Sequence, residues 1–410
     1  MNRIATMFRA LKYKNFQLFF PGLACSQIGI WIQNVAMSWL VYEMTKSPFM
    51  MGIITCLNTI PLFVLTPFGG VIADKFDRKK LLLTVQILFS LQALFLTIVV
   101  MADWVQIWNI VVLGVFLNSI AAIDAPLRQS TFVLVVDDPR DLGNAISLNA
   151  SCFNIARLVG PALAGLIIAH AGIKFCFLVT FLCLVPGIFL VNMMKINDIK
   201  SEKIKNETML EGLKEGVEYA VHVPQISTLL MFLALFSFIA MTYPMLMPVY
   251  TKEILFSGAD TLGFLMSSIG IGALISALLI ASKTTIRCMR TIMCTGCTIF
   301  ALGFVVMGLI HSTAIALISM FVVGLGTAAF LTPLNTLMQN FVDDDKRGRV
   351  MSLNAICFMG TTSISSLIAG SIAEKIGIAN TFVLFGTILL TACLFFGYRL
   401  SKLQYVQKTK

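Results

Sequence analysis

Long apolar runs and short charged connectors alternate along the chain. The runs cover residues 16–42, 48–73, 80–101, 105–130, 142–169 and 173–193, then 226–251, 262–282, 287–310, 313–340, 350–373 and 377–399. Each is close to the roughly 20 residues that a helix needs to cross the hydrocarbon core of a bilayer. Twelve transmembrane helices are therefore expected, and with them an all-α membrane protein. The first run is too long for the apolar part of a cleaved signal peptide, so it reads as a retained span behind a short basic arm. One connector stands apart, Lys195 to Gln225, which is long, polar and central. Within it Leu210, Leu213, Val217 and Val221 recur at helical spacing, which predicts an amphipathic helix over Met209 to Val221, lying on the membrane face.

Composition agrees with this pattern. Hydrophobic residues make up 58% of the 410 and charged residues 12%, whereas soluble domains carry roughly a quarter charged residues to cover their surface. The net charge of +10 would suggest nucleic-acid binding in a soluble protein, but its distribution gives another reason. With twelve spans, 24 of the 30 Lys and Arg fall on one side, among them Lys75, Arg78, Lys79 and Lys80. Four fall on the other side (Lys46, Lys174, Lys252 and Lys375), and Arg128 and Arg157 lie within spans. By the positive-inside rule both termini are expected in the cytoplasm. The charge then serves topology and attraction to anionic lipid, with no nucleic-acid partner.

The ten cysteines sit mostly in apolar runs, which argues against a disulfide framework. Cys294 and Cys297 have the spacing of a metal or redox pair. With no second pair and no histidine near, they read as small apolar fillers. His170, His222 and His311 are dispersed, and no metal or other cofactor is expected.

The two halves resemble each other. Over 143–172 an offset of 205 gives 11 identities in 30 positions with no gap, pairing Asn149 with Asn354, Gly165 with Gly370 and Gly172 with Gly377. The expected organisation is a six-helix bundle over 1–193, a linker with the amphipathic helix over 194–225, and a second pseudo-symmetric six-helix bundle over 226–410. Two repeated six-helix halves are the signature of alternating-access transporters, whose site lies between the halves near the midplane.

The connector after the second span carries a sharper motif. Gly70-Val-Ile-Ala-Asp74-Lys75-Phe-Asp77-Arg78-Lys79 resembles the pattern of the major facilitator superfamily, departing from it at Asp77, where the family has Gly. The resemblance implies the major facilitator fold and a conformational latch formed by Gly70, Asp74, Lys75, Arg78 and Lys79. Gly70 would permit close helix approach, and Asp74 would cap a neighbouring helix and pair with a cation. In the fifth span Gly160-Pro161-Ala-Leu-Ala-Gly165 is similar to the Gly-Pro motif of family antiporters; the second half has Ser365-Ser366 in place of Gly160-Pro161. The stretches 124–129, 144–149 and 156–165 resemble the branch of enterobactin exporters and macrolide-efflux proteins. The fourth-span Arg of many drug–proton antiporters has no clear match; Gly114 or its neighbours stand near that place.

Ionisable residues within spans are few and mark candidate function. Asp124 and Arg128 are one helical turn apart on the fourth span, and Arg157 lies inside the fifth. Aligning Ala125-Pro126-Leu127 with Thr332-Pro333-Leu334, an offset of 207, matches Asp124 with Leu331 and Arg128 with Asn335, and the offset of 205 matches Arg157 with Thr362, so the fold does not require the charges. Asp124, Arg128 and Arg157 are the proton-coupling candidates, the alternative being a static ion pair. Uncharged polar residues form the substrate-cavity candidates: Gln27, Trp31 and Asn34 on one stripe of the first span, with Asn58, Asn149, Asn154, Asn335, Gln339 and Asn354. Tyr243, with Pro244 and Pro248, suggests a bent, gating seventh span. For each polar residue, interhelical hydrogen bonding is the competing role.

These readings exclude an enzyme, since no His-Glu-x-x-His or nucleophile elbow occurs, and an ATP-driven pump, since no Walker loop does. The expected function is secondary active, proton-coupled export of amphipathic small molecules such as drugs or a siderophore. Import of a small metabolite or metal–siderophore on the same fold is the alternative. The expected setting is the bacterial inner membrane, as a monomer in lipid.

Overall fold

The computed structural model describes residues 8–196, 209–280, 285–343 and 346–403. Among them are fourteen α-helices and no strand. The first half contributes α1 (Lys14–Thr45), α2 (Pro48–Lys75), α3 (Arg78–Met101), α4 (Ile107–Val135), α5 (Leu142–His170) and α6 (Ile173–Met193). The amphipathic segment forms α7 (Met209–His222). The second half contributes α8 (Pro224–Ala240), α9 (Tyr243–Glu253), α10 (Ala259–Ile280), α11 (Ile286–Leu309), α12 (Thr313–Phe341), α13 (Arg347–Ile376) and α14 (Ile378–Lys402). With α8 and α9 taken together, eleven of these are long and apolar enough to cross a membrane. The 32-residue α1, its apolar run interrupted by Gln27, Gln33 and Asn34, completes the twelve expected spans.

Helix ends run past the apolar runs. The fourth run stops at 130, but α4 continues to Val135, because helical hydrogen bonding needs no apolar side chain once the backbone is in register. The seventh run is broken. Its helix ends at Ala240 and a new one starts at Tyr243, with Pro244 in the first turn of α9. Proline is tolerated there because its missing N–H would have had no intrahelical partner. The repeat survives at the joints: Gly172 and Gly377 link α5 to α6 and α13 to α14 at φ of 97° and 82°. A side chain at either position would be strained, which explains glycine at both.

The described residues group into two compact units. One takes in those up to Lys46, those from Leu57 to Ile196, and Ser257–Ser267. The other takes in Ser47–Cys56, those from Met209 to Phe256, and those from Ser268 to Leu403. In the first unit α1 packs against α5 and α6, and α3 against α4 and α6. Gly22 of α1 meets the Gly187 backbone of α6 so closely that a Cβ would come within 3.2 Å. In the second unit α11 packs against α12 and α14, around an aromatic core. Phe236 and Phe330 stack at 3.8 Å, Phe232 meets Phe330 edge-on at 4.8 Å, and Phe304 meets Phe382 at 5.1 Å.

Candidate functional site

The charges on α4 face the interior of the first unit. Asp124 and Arg128 stand one turn apart, and Arg128 Nε approaches Asp124 Oδ2 to 2.6 Å, with side chains 13% and 10% exposed. The approach is close but poorly aligned, since Arg128 Nε is buried and makes no hydrogen bond of acceptable direction. The pair borders a void of about 10 Å³ lined by Phe19 and Leu23 of α1, Leu82 and Gln86 of α3, and Gly187 and Val191 of α6. That is near the volume one water requires. A carboxylate and a guanidinium removed from solvent interact more strongly than at a surface, and each makes the other's charge tolerable. Arg157 is half-buried on α5.

A buried amide stands beside the pair. Gln86 of α3 donates to Ser26 Oγ of α1 at 2.7 Å and to the Leu184 carbonyl of α6 at 3.0 Å. Gly187 makes the room: a Cβ there would lie 2.4 Å from the Gln86 amide nitrogen. Gln33 donates to Gln92 at 3.0 Å, and Thr180 to the Gly29 carbonyl at 3.1 Å. A hydrogen bond away from water ties helices more firmly than one in contact with water. The stripe Gln27, Trp31 and Asn34 misses these residues; it leaves Asn34 exposed and Gln27 and Trp31 half-buried. The signal for the buried stripe is present in α1, where Gly22, Ser26, Gly29 and Gln33 recur at i, i+4, i+7 and i+11 and all are buried.

The remaining polar candidates fall in several environments. Asn58 of α2 packs onto Gly114 of α4, where a Cβ would meet its amide at 2.4 Å. The small residue standing near the place of the antiporter arginine is thus covered by a neutral amide from the next helix. Asn149 and Asn154 are half-buried on α5, Tyr243 is buried, and Gln339 is exposed. In the second unit Asn354 donates to Asn335 at 2.6 Å, so α12 and α13 are joined by neutral amides where α4 carries its ion pair. Separately, a cleft of about 470 Å³ opens between α1 and α5, lined by Phe20, Ala24 and Ile28 on one side and Leu148, Ser151 and Ile155 on the other. Ser147 and Ser151 return their hydroxyls to carbonyls of their own helix, which leaves the wall largely apolar. None of the polar residues singled out from the sequence lines it.

The connector from α2 to α3 departs from expectation. A Cβ at Gly70 would meet nothing, whereas one at Gly69 would lie 2.2 Å from the Ala122 carbonyl of α4. Close helix approach therefore belongs to Gly69, one residue earlier, because Gly69 is on the helix face turned to α4. The Asp74 side chain lies outside the described ones. Asp77, where the family pattern has Gly, caps α3 by accepting the Lys80 N–H at 2.8 Å, as short acidic side chains do at helix starts. Lys79 reaches the Asn192 carbonyl at the end of α6 at 2.9 Å, and Lys75 is exposed. The antiporter-like motif of α5 makes close contacts within the first unit. A Cβ at Gly160 would meet Trp31 at 2.5 Å, and one at Gly165 would meet the Ala259 carbonyl at 2.6 Å. In the second unit its repeat partner Gly370 meets the Pro48 carbonyl in the same manner.

Each unit also carries a clasp before its first span. In the first, Tyr13 donates to Asp141 at 2.8 Å, Lys12 pairs with it at 2.6 Å, and Asp141 is buried at 2% exposure. Hydrogen bonding to Asp141 raises the Lys12 ammonium above its ordinary pKa. Next to it, hydrogen bonds from Arg140 hold the Asp138 carboxyl down to about 2. In the second unit Tyr219 of α7 donates to Asp343 at 2.9 Å. Glu215 pairs with Lys346 and Arg349, and these cations, Lys346 first, lower its pKa. Gly216 lets α7 lie on the start of α13, since a Cβ there would be 3.3 Å from Arg349. The side chains of Leu210 and Leu213 lie outside the described ones; Val217 and Val221 are exposed, as suits a helix facing lipid.

Twelve spans, a repeated half and a charged interior can be set beside known proteins. A sequence profile described as "Transmembrane secretion effector" matches residues 5–409. The chain belongs to this family, within the major facilitator superfamily. The Staphyloferrin A transporter of Staphylococcus aureus is 26% identical over 94% of this chain and 97% of its own length. Macrolide efflux protein A of Streptococcus pyogenes is 23% identical over 92% and 95%. Among solved structures, a POT family transporter in complex with 5-aminolevulinic acid superposes with a TM-score of 0.76 at 12% identity, over 95% of this chain and 97% of that one; this likeness supports the fold. The chain is therefore a multi-pass membrane transporter of the major facilitator type, acting on small molecules, and its relatives are transporters rather than enzymes.

Proposed function

We propose that this transporter exports amphipathic small molecules, of the drug or siderophore kind, by alternating access coupled to protons, and that Asp124 is the residue whose protonation drives the cycle. The observation that carries the reading is the Asp124–Arg128 pair, because its counterparts in the other half are Leu331 and Asn335. A charge that the fold can do without, kept where burial makes it costly, is functional by default within a membrane. Protonating Asp124 removes the counter-charge of Arg128, which must then find another partner or solvent. A conformer that supplies one is favoured by that difference. Arg157 is the second cation in reach of such a rearrangement in this reading, and the 24-to-4 charge bias supports a cytoplasmic position for both termini.

The substrate class is supported by the apolar cleft between α1 and α5, with Asn144, Ser147 and Ser151 as the polar residues on its wall, and by what the staphyloferrin A and macrolide-efflux relatives are named for. Apolar walls with a few polar groups are the usual composition of a small-molecule site. The test is transport into inverted vesicles energised by a pH gradient, wild type against Asp124→Asn, with substrate exchange measured without a gradient. Expected is loss of gradient-driven uptake with exchange retained. Gradient-driven uptake by Asp124→Asn at the wild-type rate would overturn the coupling assignment.

A further inference from the structure

The Cys294 and Cys297 pair gains a third sulfur in the structure. Helices α11 and α14 run antiparallel in close register. A Cβ at Gly308 would lie 2.4 Å from the Ala379 carbonyl, and one at Gly386 would lie 2.7 Å from the Ala301 carbonyl. Further along the same seam Cys297 Sγ meets the Leu389 carbonyl at 3.8 Å, and Cys393 Sγ donates to the Cys294 carbonyl at 3.2 Å. The glycines bring the two backbones into contact, and the register sets Cys294 opposite Cys393. Thr298 Oγ1 lies 3.5 Å from Cys393 Sγ. Cys294 and Cys297 are one turn apart on α11, and the Cys294 side chain faces α14, since a Cβ at Gly397 would lie 3.4 Å from its Sγ. All three are reduced thiols here. Among the described residues, no group of His, Cys, Asp or Glu is arranged to hold a metal ion. A seam this tight, with cysteines of both helices on it and Cys393 Sγ against the Cys294 backbone, suits a covalent bridge between them.

We propose that Cys294 and Cys393 form an oxidation site, at which a membrane-permeant hydroperoxide closes a disulfide that staples α11 to α14. Cys294, the half-buried member, attacks the outer peroxide oxygen. Its sulfur becomes a sulfenic acid, the O–O bond breaks, and the alcohol leaves with the thiol proton. The Cys393 sulfur then attacks the sulfenic sulfur, an S–S bond forms, and water leaves. The two electrons lost by the thiols reduce the peroxide, and no other reductant or metal is needed. Cys297, fully buried beside the pair, is the exchange partner, since a thiol one turn away can attack the mixed bond. The bridge closes a loop of about a hundred residues, the length class for which a disulfide restricts the unfolded chain most.

The experiment uses the full-length protein in lipid nanodiscs, treated with tert-butyl hydroperoxide, quenched with N-ethylmaleimide and mapped as peptides without reduction. Expected is a cross-linked pair containing Cys294 and Cys393, two hydrogens lighter than the separate thiol peptides and released by dithiothreitol. Cys297→Ser should retain the pair, and Cys393→Ser should lose it. The wild type should unfold at a higher temperature after oxidation, with Cys393→Ser unchanged. Alkylation of both Cys294 and Cys393 in the oxidised wild type would overturn the proposal, as would a bridge confined to Cys297 and Cys393.

Discussion

The two halves of this transporter share a backbone plan and differ in what fills it. The interior of the first half is laced with amides and one ion pair: Gln86 on Ser26 and Leu184, Gln33 on Gln92, Asp124 beside Arg128. The interior of the second is aromatic, with Phe232 and Phe236 on Phe330, Phe304 on Phe382, and Phe300 joining the two groups. At the position of Arg128 the second half has Asn335, neutral and bonded to Asn354. The clasps differ in the same instructive way. In the first half the buried carboxylate, Asp141, is at the entrance to α5 and the cation, Lys12, precedes α1. In the second the cations are at the entrance to α13 and the carboxylate, Glu215, is on α7. Lys346 occupies the repeat position of Asp141. The duplicated geometry thus requires opposite charges across the clasp but not which element carries which sign. It requires filled space in the core but not polar or aromatic filling.

Mutations at matched positions test this contrast. The largest effect is expected from Arg128→Met, which leaves Asp124 buried without its partner and should destabilise the first half by about 3–5 kcal/mol; Asn335→Leu at the equivalent site, which orphans only the neutral Asn354 amide, should cost less, about 1–3 kcal/mol. Unfolding temperatures in detergent would measure both, and equal shifts would remove the distinction between the halves. Phe330→Ala takes out the ring shared by Phe232 and Phe236 and should cost about 3–5 kcal/mol, against less for Ile123→Ala at its half-buried counterpart in the amide-laced half. Gln86→Leu should cost about 1–3 kcal/mol by orphaning its partners, and a second change, Gly187→Ala, should restore no stability because its Cβ would enter the space Gln86 vacates only in part. Tyr13→Phe and Tyr219→Phe should each cost about 0.5–1.5 kcal/mol, with the Tyr13 change larger because Asp141 is the more buried acceptor.

The smallest effect concerns pH. Lys346 and Arg349 hold the Glu215 carboxyl below its usual range, so its contribution is complete at neutral pH and is lost as pH falls through that lowered value, below about 4.3. A spin label on α7 should report unchanged docking between pH 8 and 5 and release in stronger acid. Release near pH 6 would show that another group governs the clasp.

Much of the architecture was legible in the sequence because a membrane enforces simple rules. Every span must be apolar over a fixed length, and its backbone must bond within itself. The twelve runs, the separate amphipathic segment and the repeat that places glycine at 172 and 377 follow from those rules. The charges at 124, 128 and 157 were equally visible, since an ionisable residue in an apolar run has few innocent explanations. What the sequence left open was which face of each helix turns inward. The Gln27, Trp31 and Asn34 stripe has helical spacing, yet Asn34 is exposed and Gln33 is buried, because periodicity fixes relative angles and not the direction of the core. Close approach fell on Gly69 rather than Gly70 for the same reason.

The sequence by itself determined the number of the spans, the duplicated plan and the few charged residues within spans, because each follows from local composition or from identity between the two halves of the chain. Only the tertiary structure decided that Asp77 caps α3, that Tyr13 and Tyr219 close matching clasps, and that Cys393 stands against Cys294 across ninety-nine residues of chain. These are contacts between side chains distant in sequence, set by helix rotation and register, and no local pattern encodes them.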